Sequence, residues 1–173
     1  MRKHSGMRPQ DIVILLKIIS KGNLPLQNKN LAYELSISQS EVSDSLNRSL
    51  VAGLLNGEKK KVHKKSLLEF LQHGLHYVFP AVPGGPANGI ATAHSHPFMK
   101  KQFSSELDYV WPDARGELRG YSIEPLYKEV VKAVQQDENL YKMLALIDVI
   151  RVGRVREFNV AVAELKKMIE AEP

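Results

Sequence analysis

Apolar residues are spaced along this chain in three different ways, and each spacing predicts a different kind of element. From Pro9 to about Ser20 they are nearly continuous, with Ile12, Val13, Ile14, Leu15, Leu16, Ile18 and Ile19. A helix this apolar all round must be covered on several sides, so it is expected in the core and as a candidate subunit contact. Pro9 and Asp11 fall in its first turn, where a missing N–H and a negative charge are both favourable. Lys21-Gly22-Asn23 ends it, and Leu24-Pro25-Leu26 reads as an extended link, a candidate third strand beside a hairpin further on.

The next stretch is amphipathic. Asn28 to Leu35 carries an amide at the expected N-cap and Leu31, Ala32 and Leu35 at helical spacing. A three-residue break, Ser36-Ile37-Ser38, follows, with Ile37 placed to plug the angle between two helices. Ser38 and Glu41 form a capping box that starts the second helix. Along it Val42, Leu46 and Leu50 or Gly53 share one face, leaving Gln39, Ser40, Ser43, Asp44, Asn47 and Arg48 on the other. Leu54-Leu55 then runs into Asn56-Gly57, a strong hairpin signal because both residues tolerate positive φ, with Lys59, Lys60 and Lys61 at the tip.

Beyond the hairpin the pattern is mixed. Ser66 and Glu69 form another capping-box signal for a helix to His73, with Gly74 in the place of a left-handed cap. Leu75, Tyr77 and Phe79 alternate as in a short strand. From Pro80 to Gly120 periodicity is lost, yet the stretch holds Ile90, Phe98, Phe103, Tyr109, Val110 and Trp111. It is expected to wrap across another surface and bury them. Helical spacing returns with Ser122, Glu124 and Pro125 opening a helix through Leu126, Val130 and Val134. Asp137 caps another, ended by Gly153. Val155, Phe158, Val162, Leu165 and Ile169 then form a terminal seam that serves either as core or as a dimer surface.

Two short helices, a tight turn and a hairpin make the pattern of a winged helix-turn-helix. Short amides, hydroxyls and an arginine on one helix face suit base edges and phosphates in a major groove. A β-ribbon tipped with lysines can lie along a phosphate backbone. The stretches PQDIVILLKII, NKNLAYELSISQSEVSDSLNRSLVAGLL and NGEKKKV together resemble the MarR-like winged helix transcriptional regulators of bacteria. The resemblance implies binding of double-stranded DNA through the second helix, usually as a homodimer. It says nothing about the rest of the chain.

Charge sharpens this picture. Residues 1–66 hold 12 Lys and Arg against 5 Asp and Glu, a net +7, whereas residues 67–173 hold 12 against 14, a net −2. The basic half is the one with the helix pair, as expected of a nucleic-acid reader with an appended module. With no cysteine among 173 residues, disulfides, thiolate zinc sites and cysteine nucleophiles are excluded. No apolar run reaches membrane-span length and no signal peptide is evident, so a cytoplasmic protein is expected. Met1 to Gly6 reads as a basic mobile arm.

Enzymatic signals are weak. His94-Ser-His96 is the one cluster with metal-ligand spacing, and His73, His76, Glu106 and Asp108 are further candidates. Gly84 to Gly89 lacks phosphate-loop spacing and reads as a turn. No Ser/His/Asp set stands out, so no catalytic residue, cofactor or metal is expected. The predicted architecture is mainly α with a small β-wing: a winged helix domain over residues 1–66, a short helix, strand and irregular segment over 67–121, and a C-terminal helical module over 122–173. The leading functional reading is a sequence-specific DNA-binding regulator, a repressor, contacting DNA through Gln39, Ser40, Ser43, Asp44, Asn47, Arg48, Lys59, Lys60 and Lys61. The alternative is an antitoxin-like DNA-binding protein whose C-terminal part binds a protein partner. A metal-dependent enzyme or metal sensor using His94 and His96 stands third.

Overall fold

The computed structural model describes residues 6–104 and 107–171. The expected amino-terminal arm lies outside them except for Gly6. The architecture is mostly helical with one small three-stranded sheet. Helix α1 (Pro9–Lys21) runs through the middle of the amino-terminal half, and every residue from Asp11 to Ile18 is buried. Its unbroken apolar run is explained by neighbours: α2 (Asn28–Leu35), α3 (Gln39–Val51) and α8 (Glu138–Val152) all pack on it.

Leu31, Ala32 and Leu35 of α2 and Val42 and Leu46 of α3 face this core as their spacing requires. The turn between the two helices places Ser36 at φ +54°. Ile37 is half-buried against the core, and its N–H reaches the Ala32 carbonyl at 3.0 Å. The capping box of α3 is complete: Ser38 Oγ accepts from the Glu41 N–H at 3.1 Å, and Glu41 Oε2 accepts from the Ser38 N–H at 3.0 Å. The cap of α2 falls on Gln27 rather than Asn28.

The hairpin is smaller than expected. Leu55 and Val62 form a single bridge, and residues 22–27 contain no strand. Its left-handed residue is Lys59, at φ +56°, rather than Asn56 or Gly57. Asn56 acts through its side chain instead, Oδ1 accepting from the Lys60 and Lys61 N–H groups at 2.9 Å each. A turn held by such an amide needs no primed geometry.

Helices α4 (Lys64–His73) and α5 (Leu75–Val78) follow, so the strand expected at Leu75–Phe79 is a helical turn. The alternation misled because Tyr77 is 82% exposed and only Leu75 is buried. Gly74 is not left-handed, with φ −116°. Its lack of a side chain serves close packing, since a Cβ there would lie 3.0 Å from the Phe70 ring.

The aperiodic stretch contains the sheet. Strands β1 (Pro86–Ala91), β2 (Tyr109–Pro112) and β3 (Leu118–Ser122) each pair with the other two: β1 runs antiparallel to both, and β2 is parallel to β3. Ile90 lies opposite Trp111, and Asn88 opposite Arg119. Closure this tight leaves no room for side chains at the crossings. A Cβ on Gly89 would sit 2.0 Å from the Trp111 carbonyl oxygen, and one on Gly120 would sit 2.6 Å from that of Asp108. The glycine-rich run read as a turn is therefore partly strand, its glycines marking close backbone approach.

Between β1 and β2 lie a 3-10 turn, Ala93–Ser95, and the short helix α6 (Pro97–Lys100). The helix expected from Ser122 is reduced to α7 (Val130–Val134), although Leu126 and Tyr127 are still buried. Helix α8 is capped by Asp137, whose Oδ1 accepts from the Leu140 N–H at 2.9 Å, and it is buried from Met143 to Arg151. Helix α9 (Val155–Glu170) packs along it through Ala161, Leu165 and Ile169. The lower part of the terminal seam is thus core; Phe158 and Val162 are half-buried and Val155 is 75% exposed.

Two polar networks fasten these parts together. Asp148 of α8, 1% exposed, accepts from Thr92 Oγ1 at 2.8 Å, Trp111 Nε1 at 2.6 Å and Arg151 Nη1 at 2.8 Å. Arg151 also donates to the carbonyls of Phe79 and Glu124. A buried charge pair survives in a core only when its remaining donors and acceptors are satisfied in this way. As expected, the aromatic segment is packed, with Trp111 1% exposed. The second network joins α1 to α2 and α8: Lys17 Nζ lies 2.9 Å from Glu34 and 2.7 Å from Asp137, and Ser20 Oγ donates to Asp137 at 2.8 Å. One continuous apolar core extends from α1 to α9.

Candidate nucleic-acid interface

With Val42 and Leu46 buried, α3 must turn its opposite face outward. Gln39, Ser40, Ser43, Asp44 and Asn47 are all exposed there. Gln39, Ser43 and Asn47 recur every four residues and so form one row along the helix. Their side chains offer amide and hydroxyl groups that both donate and accept hydrogen bonds.

Arg48 departs from expectation. Its Nε donates to Asp11 Oδ2 at 2.8 Å and its Nη2 to Asp11 Oδ1 at 2.6 Å. The bidentate pair pins α3 to the first turn of α1, and Asp11 raises the guanidinium pKa above its ordinary value, against the opposing effect of burial. Asp11 is completely buried and also accepts from the Arg8 N–H at 2.8 Å. Arg48 thus supports the outward face from behind through its pair with Asp11. The sequence held one signal of this, an acidic residue at the head of the apolar run 12–16, but Asp11 reads equally well as a first-turn acid.

The hairpin lies against the same edge of α3. Lys59 Nζ donates to Asn47 Oδ1, so the two expected contact residues touch each other. A ring nitrogen of His63 sits 2.8 Å from the Gly53 carbonyl and ties the hairpin base to the end of α3. Lys60 and Lys61 are exposed, and Lys60 has only a loose 3.9 Å approach to exposed Glu58. Lys59 thus brings the hairpin against the row of polar groups on α3, and the exposed Lys60 and Lys61 follow it in the chain.

The two histidines have different ring neighbours. His96 is buried, its Nδ1 accepting from the Phe98 N–H at 3.2 Å and its ring 4.6 Å from that of Tyr141. Burial, helped by the Lys142 charge, lowers its pKa to about 4. His94 stands apart beside Tyr109, its pKa also lowered by burial. Asp108 is occupied by Lys100 at 2.7 Å and Ser95 at 2.9 Å, and a ring nitrogen of His76 by the Arg151 carbonyl at 2.9 Å. Glu106 lies outside the described residues. Among those described, no three His, Cys, Asp or Glu side chains converge as metal ligands, and no helix is long and apolar enough to cross a membrane.

In comparisons with known proteins, no family model, curated protein or solved structure matches the chain.

Proposed function

We propose that residues 1–66 are a winged helix-turn-helix that binds double-stranded DNA sequence-specifically, and that the protein is a transcriptional regulator acting as a repressor. One observation carries the reading: α3 exposes Gln39, Ser43 and Asn47 in one row, with Lys59 against Asn47 and the exposed Lys60 and Lys61 next in the same hairpin. Gln and Asn can pair bidentately with adenine in the major groove, and lysines contribute sequence-independent affinity by displacing counterions. Ser40 and Asp44 flank the row and would bear on neighbouring bases. Lys59 occupies one lone pair of Asn47 Oδ1 and leaves the other, with the Nδ2 donors, for a base. Homodimerisation belongs to this reading, and Val155, with Phe158 and Val162 beside it, is the part of α9 left for it.

Selection of bound duplexes from random DNA tests the proposal. A recovered consensus with a two-fold repeat supports both sequence reading and a dimer. Recovery of no consensus sinks the sequence-specific reading. A second reading, a DNA-binding protein that mainly captures a protein partner, draws on the exposure of Tyr77 at 82%, Val82 at 85% and Val155 at 75%.

A further inference from the structure

A cavity of about 670 Å³ opens where the hairpin, the end of α1 and helices α8 and α9 meet. That volume falls within the roughly 300–1,000 Å³ of small-molecule sites. Its floor is apolar: Ile18 and Met143 are buried there, with Ile19, Val62 and Met168 half-buried around them. Its rim is cationic, with Lys60 and Lys61 from the hairpin, Lys64 from α4 and Lys167 from α9.

Among the described residues the charges at this rim are little matched from within, Lys60 having only its 3.9 Å approach to Glu58. Glu164, the one lining carboxylate among the described residues, is taken by Lys142 at 2.5 Å, and the remaining lining lysine, Lys21, by Glu34 at 2.5 Å. Among the described residues the Lys64 ammonium reaches only the Ala171 carbonyl, at 3.2 Å. The ammonium groups of Lys61 and Lys167 have no hydrogen-bond or ion-pair partner among the described residues. Ammonium groups gathered at one opening repel each other and favour an anion between them, whereas the floor favours an apolar body. Among the described residues no aromatic side chain lines the cavity to stack a base, which disfavours a nucleotide. Methionines at the floor adapt to irregular aliphatic shapes.

We propose that this cavity binds an anionic amphiphile, a fatty acid or similar single-acid aliphatic molecule. Its head group lies between Lys61 and Lys167 and its chain over Met143 and Met168. The site does not depend on the DNA-binding reading, and its test uses no DNA.

Titration calorimetry on the full chain would use sodium decanoate below its self-association concentration, compared with 1-decanol, decyltrimethylammonium and inorganic phosphate. Decanoate is expected to bind saturably at one per chain, and the other three at least tenfold more weakly. The double variant Lys61→Glu/Lys167→Glu alters two exposed positions, so it should keep the ligand-free unfolding midpoint while losing at least fivefold in decanoate affinity. Absence of saturable binding overturns the proposal, as does equal binding of decyltrimethylammonium or of phosphate alone. Unchanged decanoate affinity in the folded double variant overturns it too. The ligand series on the unaltered chain decides the question even where a variant misfolds.

Discussion

Replacing Arg48 with Ala tests what holds the outward face of α3 in place. The change removes both hydrogen bonds to Asp11 and leaves a completely buried carboxylate with a single backbone donor, the Arg8 N–H. Breaking a buried ion pair from one side costs about 3–5 kcal/mol, because the surviving charge is neither hydrated nor paired. Against a total stability of roughly 5–15 kcal/mol, that is a large share. At about 2–4 °C per kcal/mol for a chain of this size, the melting midpoint should fall by roughly 6–20 °C. Urea unfolding read by far-ultraviolet circular dichroism measures the loss directly. Asp11→Ala combined with Arg48→Ala should cost less than the two single changes added together, since neither charge is left behind. A loss below about 1 kcal/mol for Arg48→Ala, with a log–log salt slope for DNA binding reduced by about 1, would refute the reasoning. It would return Arg48 to the role of a phosphate contact.

Three further outcomes are expected. Gln39→Ala or Asn47→Ala should cost about 1–3 kcal/mol on a selected site and little on random duplex, measured by fluorescence anisotropy; wild-type affinity in both variants means that α3 does not read bases. Lys60→Ala with Lys61→Ala should lower the log–log salt slope by roughly 2 with no change in folding, and an unchanged slope removes the hairpin from the interface. Although burial opposes it, hydrogen bonding to Lys17 and its neighbours holds the Asp137 and Glu34 carboxyls below their ordinary values of 3.8 and 4.5. Their stabilising contribution is therefore present above those values and lost as the pH falls through the depressed ones. Lys17→Met should flatten this acid limb of stability in urea titrations at successive pH values, and an identical limb in the variant would assign it to other groups.

The amino-terminal helices were legible because their signals are local. Ser38 and Glu41 cap the same turn that they occupy, and the spacing of Leu31, Leu35, Val42 and Leu46 records which side faces inward. The sheet was hidden because its determinants are contacts between distant residues. Gly89 is glycine because the Trp111 backbone crosses it, and Gly120 because that of Asp108 does; read in sequence, both resemble turn residues. Asp148 and Arg151 gave no warning of their burial, since their partners Thr92, Trp111 and Glu124 come from three other segments. The outward row on α3 could be read from periodicity, but the engagement of Arg48 with Asp11, and of Asn47 with Lys59, depends on how helices and hairpin are set against each other.

Lys17 bears on how such a chain can be inherited and recombined. Two of its partners' positions, Glu34 and Asp137, lie on either side of any crossover that would exchange the first 66 residues for those of another protein. A graft that brought Lys17 and Glu34 without an acid at the start of the receiving helix would remove the nearer of the two carboxylates that hold the ammonium of a residue only 6% exposed. The amino-terminal helices are therefore poorly suited to reuse as an interchangeable cassette. Descendants of this chain should exchange the two halves together, or change the acid at position 137 in step with the base at position 17.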